Sequence, residues 1–472
     1  MTTQTTPTPR RRVALVQYPR SQDDVVKALR RIFDSHPEWS MQTTASTQDE
    51  HVDLQWSDYD QIDWDLVDGD EGKRRLVNSY AIRKGLIRKN HLSHTIALYL
   101  SKNPTSPLAQ AAPQTFYFNL SFADELDELL VDELYDVQHS FDTSDPKNPS
   151  WWILKAALAD KGVGIRLFSD RDQLEQIFQE FEPLSSDEEE NEEEQDDDDA
   201  VATRAYGAST RVDSSQLREW VIQRYVSNPL LLSPSNTPSS PGYKFHLRVY
   251  VVASGALTIR VHHPFLALFA PTPYSTPQSS DEVDLSAHLT NTCLQTTIMG
   301  SQAPPESVNT LQGMQEYTIL GGLLEAQKLT REHVTKIEDS VGQVVAELFK
   351  AAVGAGTSFQ ALPNAFEIFG LDFLVDDEFQ ISLLEVNACP DFGQTGSSLQ
   401  SVIGHLFAST LEEIVVPYFT RQEQDHQRLE EPRDGWMGQQ PPSTETQGLS
   451  LDDTPRSGLR KVLEMEICKG WS

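Results

Sequence analysis

Three cysteines are all that 472 residues contain: Cys293, Cys389 and Cys468. They support no disulfide framework and no zinc-ligand spacing, so a reducing, cytoplasmic setting is the expectation. No apolar run reaches the roughly 18 residues of a membrane-spanning helix. The Thr- and Pro-rich start, residues 1–12, lacks the apolar segment of a secretory signal and reads as a disordered tail. The string Gly-x-x-x-x-Gly-Lys-Ser/Thr is missing, which excludes a P-loop, and no internal repeat occurs. Basic charge is scarce: 38 Lys and Arg face 71 Asp and Glu, a net charge of −33. An excess of that sign opposes contact with a phosphate backbone, and direct nucleic-acid binding is not expected.

Part of the acidity is local. Eleven of the thirteen residues from Asp187 to Asp199 are acidic. Such a run repels itself and buries no apolar area, so residues 184–210 read as a disordered insert. The length suits two or three domains. Residues 13–145 read as a small α/β domain, 150–420 as a larger domain carrying the insert, and 422–472 as a polar, largely disordered tail.

Hydrophobic periodicity places the elements. A strand begins at Arg12–Val16 and a helix covers Asp24–Phe33. Asn78–Ser101 reads as a basic helix. Trp151–Phe168 reads as strand, turn and strand, followed by a helix over Arg171–Phe181 and a strand over Trp220–Val226. Lys244–Ala253 and Ala256–His262 form a hairpin around Ser254-Gly255. Two amphipathic helical stretches fall within Leu320–Ala352 and another helix within Ser398–Val415. A short helix is predicted at Leu459–Glu466.

Two apolar strands, Phe366–Val375 and Ile381–Asn387, flank the polar Asp376-Asp377-Glu378 and read as a β-hairpin. Asp372 lies on the first strand, Glu385 and Asn387 on the second. Glu385 and Asn387 are two apart and leave the same face, with Asp372 able to join them from its neighbour. Two carboxylates and an amide on a rigid sheet suit Mg2+, which binds through a few carboxylates plus substrate phosphates. A carboxylate inside an apolar run costs several kcal/mol, on the order of 2–7, unless paired or bound to metal.

Upstream, Trp151–Lys155 is an apolar strand ending in a lysine, and Lys161-Gly162-Val163-Gly164 is a glycine-rich turn. A flap of this kind can lay N–H groups over a polyphosphate with lysine as the point charge. A strand lysine and flap, followed by an acid-bearing hairpin, is the order of an ATP-grasp ligase.

Six strings then occur in order across residues 78 to 415: Asn78–Lys84, Trp152–Lys155 with Lys161–Ile165, Val221–Leu232, Lys244–Arg248, His288–Cys293 and Leu384–Pro390. Together they closely resemble the tubulin-tyrosine ligase and tubulin tyrosine ligase-like family. The resemblance implies an α+β protein with an ATP-grasp fold: two α+β subdomains clasping ATP behind a small α/β N-terminal domain. It implies ATP and Mg2+ as cofactors and activation of a carboxylate to an acylphosphate that an amine attacks. The free amino acid and an acidic protein tail, tubulin's being the family case, are the implied partners, with tyrosination or glutamylation as the type of reaction.

By the same resemblance, Lys84 reaches the pocket from the N-terminal domain and Lys155 holds the ATP phosphates. Lys161, Gly162 and Gly164 form the flap. The stretch Gln223, Arg224, Tyr225 and Val226 presents backbone groups to adenine from an exposed strand edge. Lys244 and Arg248 point at the phosphates, and Thr290 and Asn291 line the site. Asp372, Glu385 and Asn387 take the metal, and Lys155, Arg248, Glu385 and Asn387 are the catalytic set. Cys389, beside the metal strand, reads as a packed residue and not a nucleophile.

Two positions depart from the family pattern. His246 stands where an aspartate is usual, and Leu268 where an arginine helps grip the acceptor, with Arg260 a substitute only in another register. Arg83, Lys84, Arg88 and Lys89 are the alternative cations for an acidic tail. Two further readings stay open: an ATP-binding but ligase-inactive scaffold, for example in mRNA-decay bodies, and an ATP-grasp enzyme for a small-molecule carboxylate.

Overall fold

The computed structural model describes residues 11–19, 22–44, 52–67, 74–157, 164–181, 218–233, 241–278, 283–290, 318–320, 329–356, 358–390, 392, 400–430 and 457–466. Residues 1–10 of the expected tail 1–12, the acidic insert, Lys161, Gly162, Asn291 and, in the expected C-terminal tail, 431–456 and 467–472 lie outside them, while Arg12 opens the first strand.

Three sheets organise the chain. The first is parallel, in the order β2-β1-β3-β4, from β1 (Arg12–Leu15), β2 (Trp39–Gln42), β3 (Leu54–Gln55) and β4 (Leu76–Val77). Helix α1 (Asp23–Asp34) links β1 to β2 and buries Val25, Leu29 and Phe33, one per turn. Asp23 and Asp24 in its first turn and Arg31 in its last complement the helix dipole.

Asn78–Ser101 is not one helix. Helix α2 (Lys84–Ile87) and α3 (Lys89–Leu100) break at Arg88, whose backbone is extended. The stretch before Lys84 is tied down by side-chain bonds instead. Asn78 Oδ1 accepts from Ser57 N at 2.8 Å, and Tyr80 N donates to Glu367 Oε2 at 3.0 Å. These partners replace the helical bonds that residues 78–83 give up.

The second sheet is antiparallel, in the order β5-β8-β6-β7: β5 (Thr115–Asn119), β6 (Trp152–Ala156), β7 (Arg166–Phe168) and β8 (Glu219–Arg224). Because β5 pairs along β8 from Thr115↔Gln223 to Asn119↔Glu219, the sheet crosses the expected boundary near residues 145–150. Trp152, Leu154, Trp220 and Ile222 pack on helices α4 (Leu126–Val131), α5 (Tyr135–Thr143) and α6 (Arg171–Glu180). Strand alternation therefore sends Ile153, Lys155, Val221 and Gln223 to the opposite face.

The third sheet is built on the ten-residue β9 (Phe245–Ser254). The hairpin β13 (Phe366–Val375) and β14 (Ile381–Ala388) lies on one side of it, β13 adjacent. On the other side, β10 (Thr258–His263) pairs with the second half of β9 and β11 (Leu266–Phe269) with the first, β12 (Thr318–Ile319) following β11. One face, with Leu247, Val249, Val251, Phe369 and Leu371, packs on helix α7 (Arg331–Gly354). A Thr330/His333 capping box starts that helix, which is continuous from Arg331 to Gly354; residues 321–328 of the predicted helical stretches lie outside the described residues.

The opposite face is divided. Tyr250, Val252, Phe366 and Ile368 form a core with Trp56 of the first sheet and Phe407 of helix α8 (Gln400–Thr410). Trp56 meets Phe366 and Phe407 edge-on at 5.1 and 5.7 Å. Further along, the same face carries His246, Arg248 and Asp372.

Helix α8 runs through a π-helical turn, Leu411–Val415, into α9 (Val416–Glu430), beyond the predicted end. Ser401–Gln424 has the length and hydropathy of a membrane span, yet 56% of its most apolar 18-residue window is buried inside the protein, as in a core helix. The C-terminal part departs most from expectation. Gly458–Glu464 is not a helix but strand β15, antiparallel to β10 from Thr258↔Glu464 to His263↔Gly458. The open edge of β10 offers backbone partners that outweigh helical spacing in so short a segment.

Candidate active site

Asp372 sits at the junction of three strands, paired in register with Arg248 of β9 and Glu385 of β14. It is 5% exposed, and the Arg248 guanidinium closes on it as a fork: Nε to Oδ1 at 2.6 Å and Nη2 to Oδ2 at 3.1 Å. Asn387 turns its amide nitrogen toward both carboxylates, 3.3 Å from Asp372 Oδ2 and 3.2 Å from Glu385 Oε1. Thus Asp372, Glu385 and Asn387 share one face and one hydrogen-bonded cluster. Gly370 makes room for it. A Cβ there would lie 3.2 Å from Arg248 Cδ and 3.0 Å from Pro390 Cβ.

The second sheet presents its lysine across a crevice. Lys155 is half-buried and donates to Gln223 Oε1 at 2.7 Å. Burial pushes its ammonium down to about 8; the Glu385 carboxylate opposes that shift and the Lys89 charge adds to it. Lys155 therefore shares an electrostatic field with the acid hairpin of the third sheet. Lys89, Leu383 and Leu384 line the same crevice beside Lys155 and Gln223. Gly164, at φ +74°, adopts the left-handed conformation at the exit of the expected flap.

A second lysine, Lys244, is 3% exposed at the start of β9. It donates to the Tyr225 hydroxyl at 2.9 Å, and that hydroxyl meets His288 Nδ1 at 2.8 Å. Burial, then the Lys155 charge, pushes Lys244 down to about 7. His288 is the polar partner that residue-by-residue reasoning left without a role; its place two residues before Thr290 was the available signal.

The hinge differs from expectation. Strand β8 is no exposed edge, because β5 and β6 flank it on both sides. The N–H groups of Arg224 and Tyr225 already donate to Gln114 O and Trp151 O, at 2.8 and 3.0 Å. The Arg224 side chain turns to Ser150 Oγ at 2.7 Å and over the Trp152 ring, while Val226 follows half-buried.

Other cations sort themselves by burial. Arg83 is 8% exposed, with Nε 2.8 Å from Glu367 Oε1 and its guanidinium 3.7 Å from the Tyr59 ring centroid. It is a buried ion-pair member and not a surface grip. Lys84 and Arg88 are exposed on the N-terminal side, and Lys89 is half-buried at the crevice. Arg260 lies on β10, directed to Ser254 Oγ at 3.2 Å and toward Glu413, and substitutes for nothing in the site. Leu268 is buried opposite His246. His246 Nδ1 lies 2.6 Å from Thr290 Oγ1, and burial, then Arg248, pushes the imidazole down to about 3, leaving it neutral. Burial pushes the Cys389 thiol up to about 11, which makes it a poor nucleophile.

The model of the tubulin-tyrosine ligase family matches residues 71–424. The chain belongs to that family. It is 36% identical over 380 residues to a "probable tubulin–tyrosine ligase" of Schizosaccharomyces pombe, spanning 80% of this chain and 86% of that protein. It is 37% identical to a "probable tubulin–tyrosine ligase", PBY1, of Saccharomyces cerevisiae, spanning 77% of this chain but only 46% of that protein. Among solved structures, the C-terminal domain of Kluyveromyces lactis Pby1 aligns over 96% of this chain and all of that domain, with TM-score 0.63 and 28% identity. That domain is described as an ATP-grasp enzyme interacting with the mRNA decapping enzyme Dcp2. The fold is thus α+β and of the ATP-grasp kind, a ligase-type scaffold built to bind ATP.

Among the described residues no three His, Cys, Asp or Glu side chains form a ready metal cluster. The donor set at the hairpin is instead two carboxylates and an amide, one carboxylate already neutralised by Arg248. Such a set suits a hard cation that arrives with phosphate oxygens.

Proposed function

We propose that this protein is an ATP- and Mg2+-dependent carboxylate–amine ligase that forms an amide on a protein carboxylate through an acylphosphate. The juxtaposition that carries the reading is Lys155 of the second sheet, within electrostatic reach of both Glu385 and Lys244, facing a third sheet that carries Lys244 together with Asp372, Glu385 and Asn387. Cations that meet phosphate oxygens and oxygen donors that meet Mg2+ are what phosphoryl transfer needs, since positioning and charge neutralisation do most of the work. Mg2+ bound there would neutralise the charge of the transferring group. Lys155 and Lys244 bind and orient the phosphates, Arg248 holds Asp372 on the site face, and the apolar walls around Leu383 and Leu384 exclude water.

The proposed acceptor is an acidic protein tail, with tubulin's C-terminus as the leading case by family and a free amino acid as the second substrate. Lys89 at the crevice, with Lys84 and Arg88 nearby, supplies the cations for it. The proposed setting is cytoplasmic. One experiment tests the whole: ATP-dependent transfer of radiolabelled amino acids to tubulin and to Glu-rich peptides, with Glu385→Ala as control. Label that appears and is lost in the variant supports the ligase.

A second reading, an ATP-binding scaffold without ligase activity, is favoured by Leu268 in place of an acceptor-gripping arginine and by the neutral His246 in place of an aspartate. The Dcp2 interaction of the Kluyveromyces relative is its precedent. ATP binding with no acceptor labelled by any amino acid decides for it.

A further inference from the structure

Lys244, Tyr225 and His288 form a linear chain of polar atoms that phosphate chemistry alone does not require. The ammonium has only protons to give, so the Tyr225 hydroxyl accepts from it at 2.9 Å. The hydroxyl keeps one proton of its own, and His288 Nδ1 stands 2.8 Å away. The imidazole meets the Tyr225 ring edge-on at 5.8 Å and the Tyr274 ring at 5.5 Å, which limits its rotation. The Tyr274 hydroxyl donates to Ser227 O at 2.8 Å and also hydrogen-bonds the Tyr225 hydroxyl, so it is a second neighbour of the same proton.

We infer that His288 is a positioning residue of the nucleotide site: with Nδ1 bare it takes the Tyr225 proton, so the tyrosine oxygen faces Lys244 as an acceptor and holds a charged ammonium ready for a phosphate. The inference rests on the proposed ATP site. Its electrostatic surroundings agree. His288 is pushed down to about 4 by burial and then by Lys244, with Asp284 opposing, so the ring stays neutral and able to accept. Lys155 is the other charge acting on Lys244. Without the acceptor at position 288 the tyrosine proton is left to turn between the Tyr274 hydroxyl and Lys244, and toward Lys244 it favours the uncharged amine.

The test is calorimetric titration of the full chain with ATP between about pH 6 and pH 9. The variants are His288→Phe, which removes the acceptor; Tyr225→Phe, which removes the link; and His288→Asn, whose amide oxygen restores an acceptor near the Nδ1 position. The first two are expected to bind ATP about tenfold more weakly at the alkaline end, the scale of one hydrogen bond to a charged group, and near normally at the acid end. His288→Asn should recover most of the affinity. An unchanged pH profile in Tyr225→Phe, or equal weakening at every pH with no rescue by asparagine, overturns the inference and leaves the ATP site standing. Failure of the unmodified chain to bind ATP overturns both.

Discussion

Arg248 and Asp372 face each other across the β9–β13 ladder, and the guanidinium grips both carboxylate oxygens, at 2.6 and 3.1 Å. Both side chains are largely buried, 13% and 7% exposed. Removing one partner of such a pair leaves an uncompensated charge. Arg248→Ala should therefore lose on the order of 3 kcal/mol in urea denaturation. Mg2+ would act on the same carboxylate, so it should raise the melting temperature of Arg248→Ala more than that of the unmodified protein.

Lys155→Ala removes a charge-assisted phosphate contact. Nucleotide affinity should fall by at least about tenfold, or ~1.4 kcal/mol, in calorimetric titration. An unchanged Kd counts directly against the crevice as the phosphate site.

The same lysine makes stability and binding respond to pH in opposite senses. In the folded protein Lys155 releases its proton at about 8, against 10.5 for an ordinary lysine. Between those values the unfolded chain binds more protons, so this group makes the fold more stable as pH rises through the window. ATP needs the ammonium, so its affinity should fall as pH passes about 8. Denaturation and titration series run across that range should show opposed slopes, and Lys155→Met should flatten the stability slope.

Gly370→Ala tests the space beside the fork. The added Cβ meets Pro390 at 3.0 Å as well as the Arg248 stem at 3.2 Å. The arginine can shift, the proline less so. Expected is a loss of about 1–3 kcal/mol from overpacking, with ATP-dependent turnover falling further than stability alone explains.

At the far edge of the third sheet, Val462 of β15 sits against α7 where a Cβ on Gly342 would come within 3.3 Å of it. Val462→Asp places a carboxylate in that gap and should release the strand, at roughly 2–3 kcal/mol by denaturation. The uncovered β10 edge should then promote self-association, visible in light scattering.

Legibility from sequence followed the range of the interactions. Asp372, Glu385 and Asn387 were readable because one hairpin and a period of two decide which face they take. Lys155 was readable for the same reason. The hinge was misjudged because β5, whose pairing hides the β8 edge, comes more than a hundred positions earlier. Arg83 looked like a surface cation within a basic segment; its partner, Glu367, lies on the other side of the chain's length. In β15, Leu459, Val462 and Leu463 mimic helical spacing, and only the waiting edge of β10 makes them a strand. The Lys244–Tyr225–His288 chain joins three separate segments and has no local signature.

The first sheet has a consequence for how the polypeptide is made. Its tryptophans are covered by rings from far downstream: Trp56 by Phe366 and Phe407, Trp39 by Phe419 at 5.4 Å. Arg12 also meets Glu423. During translation those rings emerge only after most of the chain has left the ribosome, so the opening sheet must wait, greasy side bare, for its lid. Chaperone capture of nascent chains should be strongest in that interval.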